Sequence, residues 1–160
     1  MNSFRTVASD LEKTVGSVRP LLLKVTEADA SRRPQPGKWS KKEILGHLLD
    51  SASNNHQRFV RAAVQRELTF PGYAQDALVD LERFVDMKWE FLINFWVGYN
   101  LFLVHVLSAL PAEAATVVCA IGKNPPATLE WIAQDYVAHL KHHLNQILGK
   151  MFETTYGKTA

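Results

Sequence analysis

Apolar residues recur every three or four positions along four long stretches of the 160-residue chain, the spacing that places them on one face of a helix. No stretch shows the strict alternation of a half-buried strand, and no segment repeats. The first stretch predicts a helix from about Ser3 to Val25, with Pro20 kinking it or tightening its last turns. Thr26 is placed to cap a short turn after it, and the prolines and glycine of "RRPQPGKWS" read as loop. The second stretch carries the clearest start signal. Ser40 and Glu43 have the spacing of a capping box, and Trp39 and Ile44 that of a hydrophobic staple, so a helix should run from there to about Arg66. "ELTFPGYAQ" breaks it, and a short helix from about Gln75 to Phe84 follows. A third long helix spans about Lys88 to Leu110 and is stopped by Pro111. After the loop "GKNPPAT", Thr128 caps a last helix that reaches about Phe152.

Four long amphipathic helices predict an all-α fold: a four-helix bundle with a short extra helix and long connections, as a single domain over residues 1–160. Composition agrees, since 47% hydrophobic and 21% charged residues are ordinary for a soluble domain that buries its core without staples. The single Cys119 excludes an internal disulfide and a multi-cysteine zinc cluster, so any metal must be held by nitrogen and oxygen. A reducing cytoplasm is the expected compartment. Eighteen basic against sixteen acidic residues give a formal charge of only +2, with the basic ones scattered, which argues against direct nucleic-acid binding through phosphate neutralisation. The N-terminus lacks a basic region followed by an apolar one, so no signal peptide is expected. The apolar run "FLINFWVGYNLFLVHVLSAL" (91–110) contains Asn94, Gly98, Asn100 and His105, which favours a buried helix over a membrane span.

Candidate chemistry lies on two helices. In "YVAHLKHHLNQI" (136–147), Ile132, Tyr136, Leu140, Leu144 and Ile147 form the apolar arc, and His139 and His143 fall about 40° apart beside it, with His142 further out at the edge. Two imidazoles one turn apart can reach one metal ion; bonding to neighbours or water is the alternative. On the helix that starts at Ser40, His47, Ser51, Asn54 and Arg58 line the inner rim for three turns. Burying such groups without partners costs about 1–3 kcal/mol each, so a wet pocket or a ligand is expected there. His47 with His139 and His143 makes a three-nitrogen site across two helices, which leaves coordination positions open as in catalytic zinc. Imidazole also suits nickel, iron and copper.

These residues resemble the DinB/YfiT-like superfamily. The resemblance runs through "GKWSKKEILGHLLDSASNNHQRF" (37–59), "FPGYAQDALVDL" (70–81), "WEFLINFWVGYNLFLVHVLSALP" (89–111) and "TLEWIAQDYVAHLKHHLNQI" (128–147), in that order, over most of the chain. It implies a four-helix bundle whose divalent metal, zinc or nickel, is held by one histidine of the second helix and two of the last, here His47, His139 and His143. It also implies a homodimer, and either a thiol S-transferase acting on a low-molecular-weight thiol such as bacillithiol or mycothiol and an electrophilic substrate, or a metal-dependent hydrolase. A metal-binding stress protein without turnover is a third reading.

In the transferase reading, Arg58 orients an anionic group and Asn54 bonds near it, an interhelical salt bridge and polar filler being their alternative roles, with Ser51 on the same rim and Tyr73 either at the pocket mouth or packing its turn. Asp50 steadies a neighbouring loop or helix, while Asp135 or Gln146 bonds the outer nitrogen of a ligating histidine. His56 is expected to be solvated, His105 to be packed and hydrogen-bonded, Cys119 to lie inert in a connection, and Trp39, Trp89, Trp96 and Trp131 to anchor the core.

Overall fold

The computed structural model describes residues 3–154 and 156. Among the described residues six α-helices form: α1 (Ser3–Leu22), α2 (Glu27–Ser31), α3 (Lys41–Gln65), α4 (Gln75–Glu82), α5 (Trp89–Ala109) and α6 (Leu129–Leu148). The four long ones, α1, α3, α5 and α6, pack as an all-α bundle around Phe4, Leu11, Leu45, Phe59, Trp96 and Leu140, each fully buried. Short 3-10 turns at Phe84–Asp86 and Ala112–Thr116 lead into and out of α5.

The α3 start is the capping box expected from sequence: Ser40 Oγ accepts from the Glu43 amide, and Glu43 accepts from the Ser40 amide. Arg33 then clamps the Glu43 carboxylate, which holds it below the ordinary range against the cost of burial. Lys42, 3% exposed, is neutralised by Glu27 of α2 and donates to the Val85 carbonyl at 3.1 Å; the same Glu27 carboxylate accepts from the first amide of α5, at Trp89. One buried cation thus ties α2, α3 and the start of α5 together. At the other end of α3, Arg66 takes a left-handed cap conformation with φ 66°.

Inside the bundle, Tyr136 of α6 donates its hydroxyl to Asn100 Oδ1 at 2.6 Å, and Asn100 donates to the Trp96 carbonyl at 2.8 Å. All three residues are buried. A polar pair in an apolar layer is tolerable only when it is satisfied in this way.

Several boundaries differ from the periodicity reading. α1 ends at Leu22 rather than Val25, α4 at Glu82 rather than Phe84, and α6 at Leu148 rather than Phe152. The chain also forms a small sheet that alternation did not reveal: β1 (Leu68–Phe70) pairs in parallel with β2 (Val118–Ile121), which pairs antiparallel with β3 (Ala127–Thr128). Strands of two to four residues are too short to show a period. Cys119 therefore lies in β2, 1% exposed, and not in an irregular connection. The sheet closes where Gly122, at φ +57°, donates to the Phe70 carbonyl; a Cβ there would meet the Gly72 amide at 3.1 Å.

α5 is long and apolar enough to cross a membrane by composition, yet it packs against α1 and α3 through Leu92, Ile93, Trp96, Leu103 and Leu107. His105, expected to be packed, is exposed, because nine residues of helix turn it about 180° away from Trp96. Trp89 and Trp96 anchor the core as expected. Trp131 does not: it is 55% exposed, one residue off the arc that begins at Ile132.

Candidate metal centre

α3 and α6 run antiparallel, so their histidines meet near the start of one and the end of the other. His47 Nε2 and His139 Nε2 are 3.0 Å apart, and the ring centroids of His47, His139 and His143 lie 4.5–5.0 Å from one another. One nitrogen from each ring belongs to a set lying within 4.8 Å throughout. His47 is 1% and His139 9% exposed, and His143 is half-buried. Trp39 covers His47 with ring centroids 5.1 Å apart, and Tyr156 covers His139 at 5.0 Å.

The electrostatics favour neutral rings. Burial pushes His47 down to about 4, and the nearby His143 adds to the shift. His139 is lowered strongly by burial and then by His143, His47 and the neighbouring His142, and His143 by burial, partly opposed by its bond to Gln146. Neutral imidazoles keep a lone pair for a ligand.

Two outer nitrogens have partners that set the tautomer. With its Nδ1–H donated to Gln146 Oε1 at 2.9 Å, His143 turns the Nε2 lone pair inward. His139 Nδ1 lies 3.4 Å from Ser51 Oγ, which leaves its Nε2 facing His47. His47 Nδ1 is buried without a partner among the described residues.

This donor set fits a divalent ion. Three imidazoles around one ion at about 2.1 Å, in tetrahedral array, have nitrogens roughly 3.4 Å apart. The 3.0 Å pair and the 4.8 Å limit of the set bracket that value.

A cavity of about 280 Å³ opens beside the centre, with Ser51, Arg58, Tyr73, Asp135 and His139 in its wall. Arg58 donates to Asn55 Oδ1 at 3.3 Å and lies over the Phe70 ring at 5.5 Å, while its Nε is buried without a partner. Burial lowers Arg58 and raises both Tyr73 and Asp135. A second cavity of about 460 Å³, under Pro34, Trp39 and Ile44, reaches His143 from another side, and Gln75 at the start of α4 lines both.

The remaining sequence candidates separate. Gln146 holds His143 of the cluster and also donates to His142 Nε2 at 3.2 Å, whereas Asp135 makes no hydrogen bond to a histidine and lines the cavity instead. Asn54 does not face the cavity; its amide donates to the Asp50 carbonyl at 3.0 Å. Its neighbour Asn55 takes the place, donating to the Ser51 carbonyl and Oγ. The rim reading passed over Asn55, although it lies about 80° from His47 on the wheel, amid Ile44, Leu48 and Phe59, where a polar residue needs a reason. Asp50 is 7% exposed, and burial together with a hydrogen bond to Glu82 raises it to about 7, which links α3 to α4. His56 is half-buried rather than solvated, because Tyr99 and Phe102 of α5 lean over it, Tyr99 Oη 3.2 Å from its Nδ1.

The sequence model of the DinB superfamily matches residues 10–147. The fold is similar to that of YfiT from Bacillus subtilis, described as "a probable metal-dependent hydrolase with an unusual four-helix bundle topology", with a TM-score of 0.80 at 18% identity over 90% of this chain and 83% of that one. At that identity the likeness speaks to the fold. No curated protein matches the sequence significantly.

Proposed function

The chain belongs to the DinB superfamily, and from that premise we propose that it is a metal-dependent enzyme that activates a low-molecular-weight thiol for transfer to an electrophilic substrate. The observation that carries the reading is the convergence of three imidazole nitrogens, from two helices, at the edge of a polar cavity. His47, His139 and His143 would hold zinc or nickel, both suited to imidazole. Bound there, the ion would supply Lewis acidity to a thiol or a water that shares the site.

The rest is work for side chains. Gln146 and Ser51 fix the rings of His143 and His139, so the donor set is arranged before any ligand arrives. Trp39 and Tyr156 shield the rings from bulk water. Arg58, a cation in the wall with a buried Nε to spare, orients an anionic group of the thiol or its partner. In the transfer itself the thiol loses its proton to solvent, the sulfur pair forms the S–C bond, and the leaving group departs with the old bonding pair.

Two cavities reaching different histidines of one centre favour a reaction of two organic molecules. Hydrolysis is the second reading, supported by the description of YfiT. The test is incubation of metal-loaded protein with a haloarene and a panel of low-molecular-weight thiols. A thiol conjugate that needs both metal and His139 supports transfer; no conjugate with any thiol rejects it.

A further inference from the structure

The 280 Å³ cavity carries two opposite charges that do not meet. Arg58, from the middle of α3, and Asp135, from the first half of α6, both line it, yet they form no ion pair within 4.0 Å. Among the described residues, Arg58 gives one hydrogen bond, to the neutral Asn55, and leaves its buried Nε unpaired. Asp135 accepts no hydrogen bond from another described residue, and its oxygens are open to the cavity rather than sealed in the core. Both are half-buried. Apart from the histidine of the centre, the described residues of the wall include no other cation or carboxylate.

Desolvating a charge is costly unless a partner restores what water supplied. Here the two attract each other across the cavity but do not touch, so neither gains from the other the hydrogen bonds that water supplied. A simple anion would satisfy Arg58 and be repelled by Asp135; a simple cation would meet the reverse. A molecule with both signs satisfies the two together and keeps the cavity neutral overall.

Resting on the reading of this cavity as the substrate pocket, we propose that the molecule bound there is a small zwitterion of amino-acid type, its anionic group on Arg58 and its ammonium group on Asp135. Size agrees, since 280 Å³ is at the lower end of small-molecule sites. Position agrees too. Asp135 precedes His139 by one helical turn, about 6 Å along α6, so the ammonium end lies next to the trihistidine centre and the ligand's side chain can point at it. Asn55, bonded to both Arg58 and Ser51, holds the guanidinium in register with that end.

The test uses L-serine and its two singly charged fragments, ethanolamine, which lacks the carboxylate, and 3-hydroxypropionate, which lacks the ammonium group, titrated calorimetrically into the purified, metal-loaded protein and repeated after metal removal. L-serine is expected to bind about tenfold more tightly than either singly charged analogue. Asp135→Asn should erase its advantage over 3-hydroxypropionate and keep its advantage over ethanolamine. Arg58→Gln should do the opposite, and Arg58→Lys should keep the wild-type order. Equal affinity for the three probes, no binding of any at millimolar concentration, or variants that weaken all three alike would overturn the inference. None of the probes is a thiol or an electrophile, so the two readings fail separately. Conjugate formation without zwitterion preference sinks only this inference, and zwitterion preference without conjugate formation sinks only the transferase.

Discussion

His47 and His139 stand 92 residues apart in sequence and bring their Nε2 atoms to 3.0 Å in the fold. Two buried ring nitrogens at that distance share one proton at most, and a third ring, His143, closes the triangle. Antiparallel packing of α3 on α6 is what makes the meeting possible, so whatever disturbs that packing should disturb the centre.

Gln146 reaches the centre only through His143. Gln146→Ala frees the outer nitrogen and lets the ring turn. Metal affinity should fall about 10- to 100-fold, the usual cost of losing such a partner. Competition against a chromogenic chelator measures it, and an unchanged Kd would remove Gln146 from the account.

The histidines also set a pH dependence for the metal-free protein. Unfolded imidazoles take up protons near pH 6.5, roughly their free value, whereas folded His47 stays neutral down to about 4. Between those limits the unfolded state binds more protons, so stability is full above about 6.5 and is lost as pH falls toward about 4. Urea denaturation across that window should show the loss, with a shallower slope in His47→Gln. Parallel profiles for the two proteins would contradict the assignment.

Asp50 has the opposite sign. Its carboxyl is raised from 3.8 to about 7 by burial and by Glu82, so the folded state holds a proton that the unfolded state has released. That contribution is full below about 3.8 and is lost as pH rises through about 7. Asp50→Asn does not titrate, and should therefore gain stability relative to wild type between about pH 5 and about pH 8. A constant difference across that range would show that Asp50 titrates normally.

Gly46 adjoins His47 in the chain, and a Cβ there would fall 2.1 Å from Phe84 Cδ2, inside a buried ring. Gly46→Ala must push the 3-10 turn at Phe84–Asp86 away from α3, at a cost of about 3 kcal/mol in unfolding free energy. Adding Phe84→Ala should recover part of that loss, because the clash goes with the ring. Strictly additive losses would mean that the turn is not packed on Gly46.

The sequence showed the bundle and the three histidines because both are written in helical period. The capping box at Ser40 fixes the phase of α3, and Ile132 with its followers fixes that of α6, so the helical period alone puts His47, His139 and His143 on facing rims. The small sheet could not be read, since its strands of two to four residues are too short for a pattern and β1 meets β2 only across some 50 residues. Side-chain direction was also beyond reach. Asn54 and Asn55 are adjacent and chemically identical, and only the packing of α3 against β1 and α6 shows that the second faces the cavity. Opposite charges such as Arg58 and Asp135, on different helices, carry no local signal that they share a wall.

Metal content of untagged protein, measured alongside His47→Ala, His139→Ala and His143→Ala and joined to X-ray absorption of the bound ion, addresses the centre most directly. One ion per chain with three imidazole nitrogens at about 2.0–2.1 Å, lost or greatly weakened in each of the three variants, is the predicted result. Metal content that survives all three substitutions unchanged would contradict it.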